Sequence, residues 1–469
     1  MKKLLLILSS GFVSSTLLLS QNIDYPSADL IVTGKLKADN KLNYKVTDFI
    51  PVIGDDALCY AYIYSLTPTG YVVVTAIDDL PPVIAYSYNT EIDSESKLYN
   101  ILKKDIKLRI DNLDRIPAEI TDERNHLKNL LISGSYSNDR YDQWPPAGST
   151  STGGWLETNW TQNAPYNNMC PMDPVTVVRS IAGCPSVAMA MIVNFHETLN
   201  GVFFDDNDDY YHNYAGRQYW IDDDSFTIKF PPFPELNLYL DTLEQHLQAG
   251  YSLTNNDKAS LVFACGVAAT QVYTSSGSGT FGVDQAFEAY QKFNFPYIEL
   301  LFESDTDLYS RIISNIIDTL PVHLAIVNQT WTSGHNVVID GYNTDEYFHL
   351  NFGWGGNSNG WYLLPDEIPY GLTVVEGAIV DIMTDSQVST NEMHKSVIEI
   401  FPNPSSNYIH IRNIFADISS YQIFSSKGVL IDQNPFVNNK INISSLPAGI
   451  YLIRILNKNE IFQCTFIKN

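Results

Sequence analysis

Cys184 lies between Gly183 and Pro185 and opens a run of small and long apolar residues, Ser186-Val187-Ala188-Met189-Ala190-Met191-Ile192-Val193. A proline just inside such a run is how a helix begins when its first turn must stay accessible. A thiol at that start faces unpaired backbone N–H groups and the positive end of the helix dipole, which favours the thiolate, the nucleophilic form. The same residue reads equally well as a buried structural cysteine among small neighbours. What separates the readings lies downstream, where Ser333-Gly334-His335-Asn336-Val337-Val338-Ile339-Asp340-Gly341-Tyr342 is followed by Phe348-His349-Leu350-Asn351-Phe352-Gly353-Trp354-Gly355-Gly356. His335 opens an apolar strand over 337–339 after a Ser-Gly turn, and the next strand, 347–350, ends at Asn351. Such a pair brings His335 and Asn351 together at one end of a sheet. His335 follows Cys184 by 151 residues and Asn351 follows His335 by 16, which supplies a nucleophile, a base and an amide to orient it, the residue types thiol-dependent acyl transfer needs. His323 and His349 compete for the role of base, but Gly334 before His335 and the Asn351 to Gly356 run after it favour His335. Gln162, in the run 156–167, offers a neutral donor for an oxyanion beside the nucleophile's own N–H. A loop glutamine is by itself more often merely solvated.

The elements that must position these groups are read from composition and period. A chain of 469 residues is too long for one core and implies about three modules. Its 28 basic and 53 acidic residues give a net charge of −25, which argues against binding nucleic acid or an anionic membrane through bulk charge. Five cysteines, Cys59, Cys170, Cys184, Cys265 and Cys464, leave at least one unpaired, and Cys184 is the one expected to be free. Residues 1–20, two lysines followed by a leucine-rich stretch diluted with serines, read as a signal peptide. No other stretch is long and apolar enough to span a bilayer, so the mature form has no transmembrane segment.

Residues 21–133 read as an α+β module: strands over 61–66, 71–75 and 82–87, then helical spacing from Leu98 to Ile110 and a second helix over 122–132. The Ser-, Gly-, Asp- and Pro-rich stretch 134–154 reads as an exposed linker carrying a processing site. Residues 155–382 hold the chemistry. Within them, the acidic and aromatic segment 203–224 lacks the glycine and the closing glutamate of an EF-hand and reads as a solvated insertion rather than a calcium loop. Helices follow at 236–249 and 259–272. The loop 274–282, with Ser275, Ser276 and Gly277, lacks a P-loop lysine and suits a cleft edge that admits a peptide backbone. With no close His/Cys/Asp cluster, neither a catalytic metal nor any other cofactor is expected. After a linker at 383–398, residues 399–469 read as short strands in a small β-sandwich.

With these residues laid out, the chain resembles the streptopain (peptidase C10) family of papain-like cysteine proteases, in the prepropeptide form of Bacteroidetes. The resemblance runs through Gly70-Tyr71-Val72-Val73-Val74, the 162–167 run, Gly183-Cys184, the Ser275 loop, Gly334-His335 with Val338-Ile339-Asp340-Gly341, and Asn351 to Gly356. It implies an α+β, papain-like fold, a helical part plus an antiparallel sheet part, preceded by an inhibitory α+β prodomain. It also implies Cys184 as nucleophile, His335 as general base and acid, Gln162 as oxyanion donor and Asn351 as holder of the imidazole. Phe352, Trp354, Ser275, Ser276, Gly277 and Gly334 would line or shield the cleft. Phe352 stands where such sequences usually carry Trp, and cannot donate a hydrogen bond. The last module resembles a type IX secretion sorting domain, through Phe-Pro-Asn-Pro at 401–404 and Leu446-Pro447-Ala448-Gly449-Ile450-Tyr451. The resemblance therefore implies a zymogen exported to the periplasm and across the outer membrane, with protein substrates, its own prodomain and the secretion machinery as partners. A papain-fold adhesin or other binding protein that has lost turnover, and an acyltransferase delivering the thioester to an amine, are the alternatives.

Overall fold

The computed structural model describes residues 23–116, 118–136, 142–327, 334–364, 374–384, 399–401, 403–412, 418–425, 430–435, 440–457 and 461–469. The segment 1–20 expected to be a signal peptide, residues 137–141 of the first expected linker and 385–398 of the second lie outside them. The chain divides into two compact units, Met1–Ile382 and Met383–Asn469.

The first unit opens with α1 (Tyr25–Ala38), β1 (Lys45–Ile53), β2 (Cys59–Thr67), β3 (Tyr71–Thr75), β4 (Val83–Ser87), α2 (Lys97–Asp111), α3 (Ala118–Ile132) and β5 (Gln143–Trp144). Then come α4 (Cys184–Phe195), β6 (Tyr211–Tyr214), β7 (Arg217–Trp220), α5 (Ser225–Ile228), α6 (Phe233–Gln248), α7 (Asn255–Ala268), α8 (Val283–Lys292), β8 (Glu299–Leu301) and α9 (Leu308–Ile317). The strands β9 (Val322–Val327), β10 (Gly334–Asn343), β11 (Tyr347–Asn351), β12 (Gly360–Leu363) and β13 (Val374–Val380) complete it. One sheet runs β1-β2-β3-β4-β12-β11-β10-β9-β13-β8, with β5 added on β10. The N-terminal strands therefore do not form a sheet of their own. Tyr86 pairs with Trp361 and Ala85 with Tyr362, so the edge that β4 would leave open is covered by β12.

Three hydrophobic clusters lie against the sheet, one of them under α1 and α3 with Val72, Val74 and Trp361. On one side α4, α6, α7 and α8 pack with Ala325 and Val338. On the other, Leu324, Ile326, Val337 and Ile339 pack with α9, α2 and the N-terminal strands. The alternation of β9 and β10 between faces follows from the period of two along a strand. Helix α4 is buried from Pro185 to Val193, which is why its sequence is apolar all round rather than amphipathic. Truncating Leu324, Ile326 or Ile339 to alanine costs about 2–5 kcal/mol.

Two expectations change here. The stretch 134–154 is partly built into the fold: Trp144 pairs with Tyr342 and stacks on its ring at 6.3 Å, and Thr152 is 8% exposed. A tryptophan offers too much apolar area to leave in a solvated linker. The acidic segment 203–224 also folds, as a short turn and the β6–β7 hairpin, and buries Phe204, Tyr219 and Ile221. Its carboxylates cap backbone N–H groups: Asp208 accepts from Asp205 N, Asp209 from Asp222 N, Asp222 from Phe233 N and Asp224 from Trp220 N. Among the described residues no three His, Cys, Asp or Glu side chains converge as a metal site, and no helix is long and apolar enough to cross a membrane.

The second unit contains β14 (Glu399–Phe401), β15 (Tyr408–Arg412), β16 (Ile418–Ser425), β17 (Leu430–Pro435), β18 (Lys440–Asn442), β19 (Gly449–Asn457) and β20 (Ile461–Lys468). They form a three-stranded sheet, β14-β15-β18, and a four-stranded sheet, β17-β16-β19-β20. Ile409, Ile441, Ile423, Ile453 and Phe466 fill the core between them. This is the small β-sandwich expected.

Candidate active site

Cys184 is the first residue of α4, and Gly183, its N-cap, has φ 89°. A side chain at 183 is excluded twice, since that φ is left-handed and an added Cβ would lie 2.6 Å from Gln271 Oε1. Gln271, fully buried, donates Nε2 to Ala182 O at 2.7 Å and holds the approach to the thiol. From the other side the Gln162 carbonyl accepts from Ala182 N at 2.9 Å. Gln162 is thereby tied two residues from Cys184, and its half-exposed side chain has no hydrogen-bond partner among the described residues.

A cleft of about 420 Å³ runs between the helical layer and the sheet, and Cys184, Gly334, His335 and Asn336 all line it. Every residue lining it comes from between Cys184 and Glu376, so no described residue of the N-terminal module fills it. That module reaches the site's supports instead. Thr90 Oγ1 donates to Asn359 O at 2.5 Å, and the Asn359 side chain accepts from Phe352 N at 3.1 Å.

The imidazole of His335 lies against Trp354, with centroids 4.7 Å apart, and nearly parallel to Phe352 at 6.1 Å. Its Nε2 is 3.0 Å from Phe352 O. A carbonyl only accepts, so Nε2 carries the proton in that bond and Nδ1 is the basic nitrogen. Asn351 is buried, but its side chain donates to Thr158 O at 2.9 Å and accepts from Gly353 N at 3.1 Å. In the strand register it pairs with Val338, three residues beyond His335. The expected contact between Asn351 and the imidazole is therefore replaced: Asn351 shapes the turn, and the turn presents the Phe352 carbonyl to the ring.

Of the serine-rich loop, Gly277 to Gly282 line the cleft, whereas Ser275 and Ser276 do not. Ser275 gives both its N–H and its hydroxyl to Asp173, each at 2.9 Å. The buried Asp173 carboxylate is also met by Arg217, Nε at 3.0 Å and Nη2 at 2.8 Å. Burial alone would raise its pKa, but these donors hold it below the usual carboxylate range. Glu376 lines the cleft too, accepting from Val283 N at 2.8 Å, and burial raises its pKa.

The other thiols are unsuited to chemistry. Cys170 and Cys265 are buried and unpaired, and burial pushes the Cys170 thiol up to about 12 and Cys265 well above its ordinary value. Cys464 is raised to about 11 and Cys59 is also raised, both by burial. The rival histidines are held elsewhere. His349 Nδ1 bonds Asp340 at 2.6 Å in the core. His323 is 0% exposed, and burial lowers its pKa to about 4. Because that folded value lies below the ordinary 6.5, the unfolded chain binds the extra proton between pH 6.5 and 4, so stability falls as pH drops through that window. The expected loss is about 3 kcal/mol, read as the difference in urea unfolding between wild type and His323→Gln at pH 7 and pH 4. A constant difference between the two proteins contradicts it.

Asn336, Gln271 and Glu376 were not singled out from the sequence, and His323 was weighed there only as a rival base. The signal for Asn336 was available, since it is a polar residue directly after His335 in an otherwise apolar strand.

A thiol at a helix start and an imidazole thus line one cleft between a helical layer and an antiparallel sheet. Residues 160–362 match the peptidase C10 family, residues 32–110 the Spi protease inhibitor family, and residues 399–469 the secretion system C-terminal sorting domain. The chain is 23% identical over 303 residues to the thiol protease/hemagglutinin PrtT of Porphyromonas gingivalis, covering 63% of this chain and 32% of that protein. It therefore spans about a third of that relative's length. To streptopain of Streptococcus pyogenes it is 21% identical over 331 residues, 68% of this chain and 77% of that one. Among solved structures, a prointerpain A fragment from Prevotella intermedia is 21% identical with a TM-score of 0.46, covering 69% of this chain and 95% of that one. Active interpain A is 22% identical with a TM-score of 0.36, covering 51% and 98%.

Proposed function

We propose that the protein is a secreted cysteine endopeptidase made as a zymogen, with Cys184 as nucleophile and His335 as base and acid. The observation that carries it is the cleft shared by Cys184 and His335, within the peptidase C10 match. Nδ1 of His335 takes the thiol proton, giving a thiolate–imidazolium pair of the kind that lowers a papain-like thiol to about 3–4. The thiolate attacks a peptide carbonyl, and the oxyanion is met by the Cys184 N–H and the Gln162 amide. Imidazolium then protonates the leaving amine, a thioester forms, and His335 activates the water that hydrolyses it. The Phe352 carbonyl keeps Nε2 protonated, and the Trp354 and Phe352 rings shield that side of the ring from water.

Residues 1–20 would direct export to the periplasm, 399–469 passage across the outer membrane, and 21–133 would restrain the enzyme until the 134–154 stretch is cut. Support for the restraint is the N-terminal module's grip on the 352–359 turn that carries the imidazole's platform. Trp144 on Tyr342 adds a second tie to the strand bearing His335. The test replaces the bonds of 134–154 with a cleavage-resistant sequence and compares peptide hydrolysis with that of the processed protein. The resistant precursor is expected to be at least tenfold slower. Equal rates contradict the inhibitory role, and no hydrolysis by either form contradicts the peptidase.

A further inference from the structure

We propose that Asn336 is a further catalytic residue of this site: its side-chain amide donates to the Cys184 sulfur and stabilises the thiolate, and buried His323 and Tyr290 hold it in that orientation. The inference rests on the reading of Cys184 as nucleophile.

The strand register sets the geometry. Ala325 pairs with Asn336 and His323 with Val338, so His323 and Asn336 are diagonal neighbours on the sheet face turned toward the helices. Asn336 Oδ1 is 2.6 Å from His323 Nε2, and Asn336 Nδ2 is 4.0 Å from Cys184 Sγ. On the far side His323 Nδ1 is 3.2 Å from the Tyr290 hydroxyl, with the two rings nearly perpendicular at 88°. A continuous line of polar groups runs from the helical core along that face of the sheet to the sulfur.

An amide's orientation and a histidine's tautomer must be inferred from their partners. Two assignments are self-consistent along this line. In one, Tyr290 donates to Nδ1, Nε2–H donates to Asn336 Oδ1, and the amide N–H groups face Cys184. In the other every direction reverses: Asn336 Nδ2 donates to Nε2, Nδ1–H donates to the Tyr290 oxygen, and Oδ1 faces the sulfur. The reversed line fails at both ends. It leaves the buried Tyr290 O–H without an acceptor among the described residues, a cost of about 1–3 kcal/mol. It also sets an amide oxygen against a thiolate, lone pair to lone pair. Nδ1 can accept only while His323 is neutral, and burial keeps it neutral down to about pH 4. The first assignment therefore holds wherever the enzyme is charged for attack. Tyr290 and His323 touch no substrate and act through Asn336, as positioning residues.

The other titratable groups lining the cleft are His335, Glu376 and Tyr214, and all three are left unchanged in the test. The rate of Cys184 alkylation by iodoacetamide is followed against pH in the full-length chain by peptide mapping, with turnover measured on the same preparations. Asn336→Ala is expected to move the thiolate limb up by about one pH unit and to lower kcat/KM about tenfold, since a hydrogen bond to a charged group is lost. Asn336→Asp keeps an oxygen for His323 but turns an acceptor toward the sulfur, and is expected to move the limb further. Being of the same volume, it carries the test if the alanine variant does not fold. A limb unmoved in a folded variant, with alkylation of Cys184 still abolishing turnover, overturns the role of Asn336 and leaves the nucleophile in place. Undiminished turnover after complete alkylation of wild-type Cys184 overturns both.

Discussion

Cys184→Ala is expected to lower kcat/KM by about 10⁶, to the background that binding and oxyanion donors alone supply. No other thiol can stand in. Cys170 and Cys265 are sealed in the core with their thiols held protonated, and Cys59 and Cys464 are raised by burial as well. The change removes one sulfur at the start of a helix whose capping does not use that side chain, so folding should be unaffected. His335→Ala is expected to fall nearly as far, because the thiol then loses both the base that ionises it and the acid that releases the amine. Hydrolysis of a peptide substrate by the processed protein, with near-UV circular dichroism as the folding control, reads both. A loss below about tenfold in either variant contradicts the assigned roles.

Gln162→Ala is the second large effect, on the order of 10²–10³ in kcat, the usual consequence of removing one oxyanion donor. The fold makes this a clean substitution. What ties Gln162 to the segment leading into the nucleophile is its carbonyl, which accepts from Ala182 N at 2.9 Å whatever the side chain. Its amide bonds no described residue and is free to meet developing charge. The loss should fall in kcat, with KM nearly unchanged, because the donor acts on charge that appears after binding. A rise in KM at constant kcat would instead make Gln162 an ordinary binding residue.

How much of this the sequence disclosed depended on whether the cause was local. Gly183-Cys184-Pro185 announces a helix start, because the left-handed cap and the proline in the first turn are properties of neighbouring residues. The strands carrying His335 and Asn351 were legible for the same reason. Helix α1 and strand β1 were not foreseen: α1 carries polar residues among its buried ones, and β1 is largely exposed. The joining of β4 to β12 is set by a register between segments far apart in the chain, which no local pattern encodes. Trp144 in a Ser/Gly/Pro-rich stretch was the sign that the linker would be partly docked. At the site, residue type singled out Cys184 and His335, which line one cleft, but the partner of the imidazole is a main-chain carbonyl, and a carbonyl has no identity in a sequence. Ser275 was read as a cleft residue because its loop is, yet the buried Asp173 claims its donors.

That the sulfur of Cys184 and the imidazole of His335 work as one unit is tested by kcat/KM for Cys184→Ala, His335→Ala and the double variant, measured on one peptide. The prediction is that the double variant is no slower than Cys184→Ala alone, because without the sulfur the imidazole has no proton to take. If the two losses multiply, or if His335→Ala leaves turnover within tenfold of wild type, the pair does not act together and the peptidase mechanism is wrong.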